Sequence, residues 1–125
     1  MNYLITSLAL ILLTACAPET EKQYATHPKA LQQAMQQCPQ KSPKHVSCTE
    51  LGEIATRINQ LAYQLQSNQQ GYGKDILNLQ ETITTQRSQL EKHPEQGDLQ
   101  HHLKQNERQL QERLAVVRWL ASPEH

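Results

Sequence analysis

Large aromatic side chains are scarce in this 125-residue chain, which has no phenylalanine, one tryptophan and four tyrosines. Such side chains supply much of the buried area of a deep globular core. Hydrophobic residues make up 37% of the sequence, and part of that share lies in its first fifteen residues. The remainder suits amphipathic helices that each bury one apolar stripe. Its many glutamines, which are good helix formers, favour the same interpretation.

A net charge is also missing, because twelve lysines and arginines balance twelve acidic residues. A neutral balance gives no electrostatic support for nucleic-acid binding, so we expect no nucleic-acid partner. The sequence has no glycine-rich phosphate loop, and its serines and cysteines suggest no nucleophile paired with a base. We therefore expect neither a cofactor nor an enzymatic activity.

The apolar run of residues 4–13 is too short to span a bilayer and is typical of a secretory signal. It ends in "LTAC", which has the form of a lipobox, so residues 1–15 are expected to be removed. Cys16 would then carry palmitate and further acyl chains, which together anchor a protein stably in a membrane. Because Ala17 follows the cysteine, we expect passage to the outer membrane, facing the periplasm. An ordinary signal peptide, cut elsewhere, is the alternative.

Two cysteines remain once Cys16 is lipidated. Cys38 and Cys48 form an even pair in an oxidising compartment, which predicts a disulfide. A zinc site that adds His27 and His45 is the alternative, but the nine residues between the cysteines lack the close ligand pairs of structural zinc sites. A redox-active pair would have Cys-x-x-Cys spacing. We therefore expect no metal here.

Apolar periodicity predicts four helices and no strand. The first begins at Pro28, which suits the first helical position, and reaches about residue 37. The second begins near residues 49–50 and stops in "SNQQGYG", where Gly71 and Gly73 indicate a break. The third and fourth, about 72–92 and 98–121, carry heptad seams and are joined by the turn "HPEQGD".

The two seams predict an antiparallel hairpin with a defined register. Each seam contains one polar position, Gln86 in the third helix and Asn106 in the fourth. A polar layer in an apolar seam is a known way to fix register. Folding the helices about the turn sets Gln86 level with Asn106 and pairs Leu90 with Leu103, Ile83 with Leu110, Leu79 with Leu114, and Ile76 with Val117.

The predicted fold is all-α: a small helical bundle with a long antiparallel helical hairpin and one disulfide-closed loop between helices. Residues 116–120 are expected to close the base of the hairpin against the second helix. The organisation has five parts, namely a signal peptide (1–15), a lipidated polar tether (16–23), a short helix with the disulfide loop (24–48), a three-helix bundle containing the hairpin (49–121) and a tail (122–125).

One cluster of histidines and acids could support metal-assisted hydrolysis. It falls at the predicted hairpin tip, where such residues are also ordinary in a solvated turn. It comprises His93, His101, His102, Glu91, Glu95 and Asp98.

The segment "PQKSPKH" is locally basic, and a disulfide would restrict it, which favours recognition because less entropy is lost on binding. A plain connector between two helices is the alternative. The residues expected to contact a protein partner are Tyr24, His27, Pro28, Lys41, Lys44 and His45.

Seven of the first fifty residues or so carry a pattern of a lipobox cysteine, an aromatic-x-x-His-Pro-x-x-Leu segment and two further cysteines, namely Cys16, Tyr24, His27, Pro28, Leu31, Cys38 and Cys48. In this pattern the chain resembles the small entry-exclusion lipoproteins of the EexN type. The resemblance implies a non-enzymatic lipoprotein in the recipient envelope that blocks redundant conjugative transfer by binding a component of the mating machinery. A secreted endonuclease or hydrolase that uses the histidine and acid cluster, and a structural envelope lipoprotein, are the alternatives.

Overall fold

The helical periodicity of the sequence is reproduced in a computed structural model that describes residues 20–122. This part of the chain is helical and contains no strand, so the all-α prediction is confirmed. The expected signal peptide, the lipidation site Cys16 and the end of the tail lie outside the described residues. The helices are α1 (Thr20–Thr26), α2 (Pro28–Gln37), α3 (Cys48–Ser67), α4 (Gln69–Lys92) and α5 (Gly97–Ala121).

Helix α1 corrects the prediction of a polar tether, because the chain is helical from Thr20 onward. Seven residues are too few for a stable isolated helix, so packing must supply the stability. Ala25 is buried in the core and Tyr24 packs against it, and α1 contacts both α3 and α5. Residues 17–23 are polar, and the two residues that pack in the core, Tyr24 and Ala25, come directly after them. The sequence pattern therefore did not indicate an apolar face in this segment.

The start of α3 is fixed by its own sequence. Ser47 Oγ accepts a hydrogen bond from the Glu50 backbone N–H at 3.1 Å, and the Glu50 carboxylate accepts one from the Ser47 N–H at 3.0 Å. This reciprocal capping box satisfies two backbone donors that a helix start otherwise leaves open. The helix therefore begins at Cys48, one residue before the predicted start.

The core is built around α3. The predicted stripe is buried at Leu51, Ile54, Ile58 and Ala62, and four other segments cover it. Val116 of α5 is fully buried and Trp119 and Leu120 pack beside it, which places residues 116–120 against α3 as predicted. The other buried members of this cluster are Ala25 of α1, Leu31 of α2 and Val46 of the disulfide loop.

The break between α3 and α4 falls at Asn68, not at Gly71 and Gly73 as the sequence indicated. Asn68 leaves the helical conformation, and its side-chain oxygen accepts a hydrogen bond from the Gly71 N–H at 2.9 Å. Asparagine is a strong N-cap, so it starts α4 at residue 69 and draws both glycines into the helix. A Cβ at residue 71 would collide with the Asn68 amide, which explains the glycine there.

The hairpin of α4 and α5 has the predicted polar layer. Asn106 Nδ2 donates to Gln86 Oε1 at 3.1 Å, and one position further along, Arg87 donates two hydrogen bonds to Glu107 at 2.7 and 3.1 Å. Ile83 is buried in the adjacent layer. The two helices run antiparallel, and Gln86 lies level with Asn106 as predicted.

The predicted pairing of Ile76 with Val117 is not supported. Val117 is 36% exposed, whereas Ala115 and Val116 are 2% and 0% exposed. Helix α5 packs against α1, α2 and α3 as well as α4, and its residues Val116, Trp119 and Leu120 join the core around α3. Its buried face therefore turns away from the two-helix seam toward these additional neighbours.

One ion pair joins α3 to α5 beside the core. Arg57 donates to both carboxylate oxygens of Glu112, at 2.8 and 3.0 Å. The Glu112 side chain is only 3% exposed, whereas that of Arg57 is 37% exposed. The carboxylate thus depends on the guanidinium for its hydrogen bonds, but the guanidinium can also reach water.

A buried tyrosine closes the start of the hairpin. The Tyr72 hydroxyl donates to the Arg113 carbonyl at 2.9 Å, and the Arg113 guanidinium lies 5.2 Å from the centre of the Tyr72 ring. Burial raises the pKa of Tyr72 to about 12, and the Arg113 charge opposes that shift. Tyr72 is therefore held in its neutral, hydrogen-bond-donating form.

The asymmetry of the Arg57–Glu112 pair predicts unequal mutational costs. Arg57→Met leaves a buried carboxylate without a partner, and we expect it to lower the free energy of unfolding by about 3 kcal/mol. Glu112→Gln leaves a cation that water can solvate, and we expect a loss of about 1 kcal/mol. Urea unfolding measures both. Equal losses for the two variants would contradict the assigned burial.

Tyr72 predicts a loss of stability at high pH. Because its pKa is 10.0 in the unfolded chain and about 12 in the folded protein, its stabilising contribution is full below pH 10 and is lost as the pH rises toward 12. Urea unfolding between pH 9 and 12 should show this loss, and Tyr72→Phe should remove it. The control is Tyr63→Phe, at an exposed tyrosine, which should retain the wild-type dependence.

Candidate partner-binding site

The disulfide predicted from the compartment is present. Cys38 and Cys48 are bonded, with their Cα atoms 5.8 Å apart. With both sulfurs bonded to each other, neither is a thiolate that could hold zinc with His27 and His45. The bond joins the end of α2 to the first residue of α3 and closes residues 38–48 into a loop.

This disulfide loop is held at several points besides its covalent bond. Val46 is 3% exposed and belongs to the core cluster, which ties the loop to α3. The Lys41 N–H donates to the Gln37 carbonyl at 2.9 Å, and the Lys41 carbonyl lies 3.8 and 3.9 Å from the two disulfide sulfurs. The loop backbone is therefore ordered before any partner arrives, which lowers the entropy lost on binding.

Three of the predicted contact residues point outward from this frame. Lys41, Lys44 and His45 are exposed, and within residues 20–122 neither lysine forms an ion pair. Carboxylates of a partner could reach both ammonium groups. The loop thus combines a fixed backbone with free cationic side chains.

The other three predicted contact residues do not join that surface. Pro28 is buried at the first position of α2, and Tyr24 packs against the core, so both contribute to packing. His27 is exposed, and its Nδ1 lies 2.9 Å from the Gln23 carbonyl and 3.1 Å from Thr26 Oγ1. Since a carbonyl only accepts, Nδ1 carries a proton and donates to the Gln23 carbonyl.

His27 borders a larger feature that the sequence did not predict. A groove of about 760 Å³ runs between α1 and one face of the hairpin, and the disulfide loop does not line it. We call it the hairpin groove. Ile83 and Leu110 give it an apolar floor, and its charged lining residues are Lys22, Arg87, Lys104, Glu107, Arg108 and Arg118.

The lining residues of the hairpin groove are scattered between residues 22 and 118, so no local charge run marks it. One signal was available in α5. Lys104, Arg108, Gln111 and Arg118 recur at steps of four, three and seven, which places them on one helix face. That this face meets α1 depends on tertiary packing, which the spacing does not reveal.

A second, smaller cavity of about 430 Å³ lies between α2, α3 and α5. Leu31, Met35, Ile58 and Trp119 line it, with amide side chains at its edge. The Trp119 Nε1 atom is buried and has no hydrogen-bond partner in the described part of the chain. The atom is inaccessible to solvent, so a molecule in the open cavity does not reach it.

The histidine and acid cluster at the hairpin tip does not converge. His101 and His102 pack edge to face with ring centres 6.1 Å apart, and His93 Nδ1 lies 4.0 Å from Glu95 Oε1. All four side chains are exposed. Within residues 20–122, no three histidine, cysteine or acidic side chains are arranged to hold a metal ion.

Among residues 20–122, no helix is both long and apolar enough to cross a bilayer. Comparisons with known protein families, curated proteins and solved structures find no match for this chain. The resemblance to entry-exclusion lipoproteins therefore remains a prediction that these comparisons do not test.

The disulfide predicts a measurable contribution to stability. Replacing both cysteines in Cys38→Ser/Cys48→Ser should lower the free energy of unfolding by about 2–3 kcal/mol, because the unfolded chain gains the freedom of an open loop. Urea unfolding measures this loss, and Ser42→Ala in the same loop is the control, with no expected change. Alkylation of Cys38 or Cys48 in native protein without reductant would show that the bond is not formed.

Proposed function

We propose that this protein is a lipoprotein of the outer membrane, facing the periplasm, that blocks redundant conjugative transfer by binding a component of the incoming machinery. The lipobox that ends at Cys16 supports the anchor, and the resemblance of the first fifty residues supports the role. The membrane attachment is through lipid on Cys16, and the action is through protein–protein contact.

The observation that carries the proposal is the disulfide loop. It lies within the segment that bears the resemblance, its backbone is fixed by the Cys38–Cys48 bond and by Val46, and its cations are exposed. A rigid loop that presents free charges favours recognition of an acidic surface, because binding orders few additional atoms.

The described geometry also favours binding over chemistry. The buried titratable side chains have assigned structural partners, Glu112 with Arg57 and Tyr72 with Arg113. The histidines within residues 20–122 lie exposed on the surface. A catalytic site would require convergent groups in a water-excluded setting, and residues 20–122 offer binding surfaces in its place.

A mating assay tests the proposal. The protein is expressed in a recipient cell. Transfer is counted from a donor that carries the conjugative element encoded beside this protein's gene. We expect transfer to fall relative to a recipient with an empty vector. The triple variant Lys41→Ala/Lys44→Ala/His45→Ala should restore transfer to at least half of the empty-vector frequency, because it removes the free charges of the loop.

The matched control for this assay is Lys74→Ala/Lys92→Ala/His93→Ala, which removes two exposed lysines and one exposed histidine from α4 and the residue after it. It should exclude transfer as the wild type does. Cys16→Ser should be missing from the outer-membrane fraction and should lose exclusion. Unchanged transfer into recipients whose outer membrane contains the wild-type protein would contradict the proposal.

A further inference from the structure

The hairpin groove concentrates positive charge in a neutral chain. Of the twelve lysines and arginines, five line it, whereas only one of the ten acidic residues within residues 20–122 does. The acid is Glu107, and Arg87 neutralises it through hydrogen bonds at 2.7 and 3.1 Å. The groove therefore carries a local positive charge that the overall composition conceals.

Three of these cations are available to a ligand. Lys104, Arg108 and Arg118 are exposed, and none of them forms an ion pair with another residue of the range 20–122. All three lie on α5, where Lys104 and Arg118 are fourteen residues apart. At 1.5 Å per residue, the charged edge is about 21 Å long.

The floor of the groove differs from its edge. Ile83 and Leu110 are apolar, and amide side chains of Gln80 and Gln111 lie beside them. A cationic edge above a part-apolar floor complements a segment that carries carboxylates on its flanks and an apolar stripe between them. A helix of about fourteen residues matches the length of the edge.

We propose that the hairpin groove binds an acidic amphipathic segment of a protein partner. Its carboxylates pair with Arg108 and Arg118, which offer bidentate hydrogen bonds, and with the Lys104 ammonium. Its apolar side chains lie against Leu110, beside which Ile83 is already buried in the hairpin seam. This inference rests on the protein-binding part of the proposed function, whose partner it describes chemically, and it does not require that the partner belongs to a conjugation system.

The concave shape favours a polypeptide over a membrane. A flat layer of anionic headgroups would meet the edge charges but would leave the groove of about 760 Å³ between α1 and the hairpin unfilled above Leu110. A polypeptide segment can contact both the charged edge and the floor of the groove, because its side chains project to different depths. Both alternatives to a polypeptide, an anionic membrane and a nucleic acid, are included in the test.

The test uses residues 16–125 with Cys16→Ser, which retain every described residue. The probe is a fluorescent helical peptide of about fourteen residues, with leucines at helical spacing and glutamates on both flanks. Binding is followed by fluorescence anisotropy at about 0.15 M salt. We expect saturable binding of this peptide and at least tenfold weaker binding of the same peptide with glutamine for every glutamate.

A charge reversal identifies the site. Arg108→Glu/Arg118→Glu should weaken binding of the glutamate peptide at least tenfold and should create binding of a lysine-for-glutamate peptide. The control variant Lys74→Glu/Lys92→Glu makes the same charge change outside the groove and should bind within twofold of the unmodified protein. Circular dichroism confirms that both variants, altered only at exposed positions, remain helical.

Three results would overturn the inference: equal affinity for the glutamate and glutamine peptides, equal losses in the two charge-reversal variants, or tighter binding to phosphatidylglycerol vesicles or to a single-stranded oligonucleotide. Because the measurement involves no mating, a failure here leaves exclusion by the disulfide loop standing. Conversely, a failure of exclusion leaves peptide binding in the groove standing.

Discussion

Three side chains of α3, Leu51, Ile54 and Ile58, are no more than 1% exposed, and one neighbouring helix cannot enclose a stripe of that kind. The stripe is covered jointly by α1, α2, the disulfide loop and the base of α5. Each of these segments is too short or too polar to bury much apolar area alone. Most of the free energy that stabilises them therefore comes from the apolar area that they bury against α3. The scarcity of aromatic residues is tolerated because the core is one aliphatic stripe with many partners rather than a deep interior.

The hairpin is stabilised differently from the rest of the fold, because α4 does not take part in the core around α3. No residue of α4 belongs to the described core cluster, and α4 makes most of its contacts with α5. Away from the base the hairpin is therefore held by its own seam, where a two-helix interface leaves many register choices close in energy. The Asn106–Gln86 amide contact, with the adjacent Arg87–Glu107 pair, selects one of them. Polar groups thus provide specificity where the hydrophobic stripe is thin.

The features that the sequence predicted are those with local causes. The bounds of α2 and α5 follow from Pro28 and from apolar periodicity, and the seam register follows from two polar positions that match when the chain folds back. The features that it missed depend on contacts between distant segments. Helix α1 is stabilised because Ala25 packs in the core and α1 contacts α3 and α5. The buried face of α5 turns toward Val116 because α5 also packs against α1 and α3. The hairpin groove is lined by residues that are far apart in sequence. Asn68 is an exception, because its capping signal was readable but was outweighed by the two glycines that follow.

The proposed lipid anchor would hold the hairpin groove close to the membrane. Cys16 lies four residues before Thr20, and four extended residues span at most about 14 Å, so lipidation would keep α1 close to the bilayer. The hairpin groove begins at α1, with Lys22 and His27 at its edge. A partner that occupies the groove would therefore be held beside the membrane, whereas a partner free in the periplasm would have to approach that surface first. In that case the hairpin would act alongside the disulfide loop, since its α5 face carries three exposed cations that form no ion pair within residues 20–122.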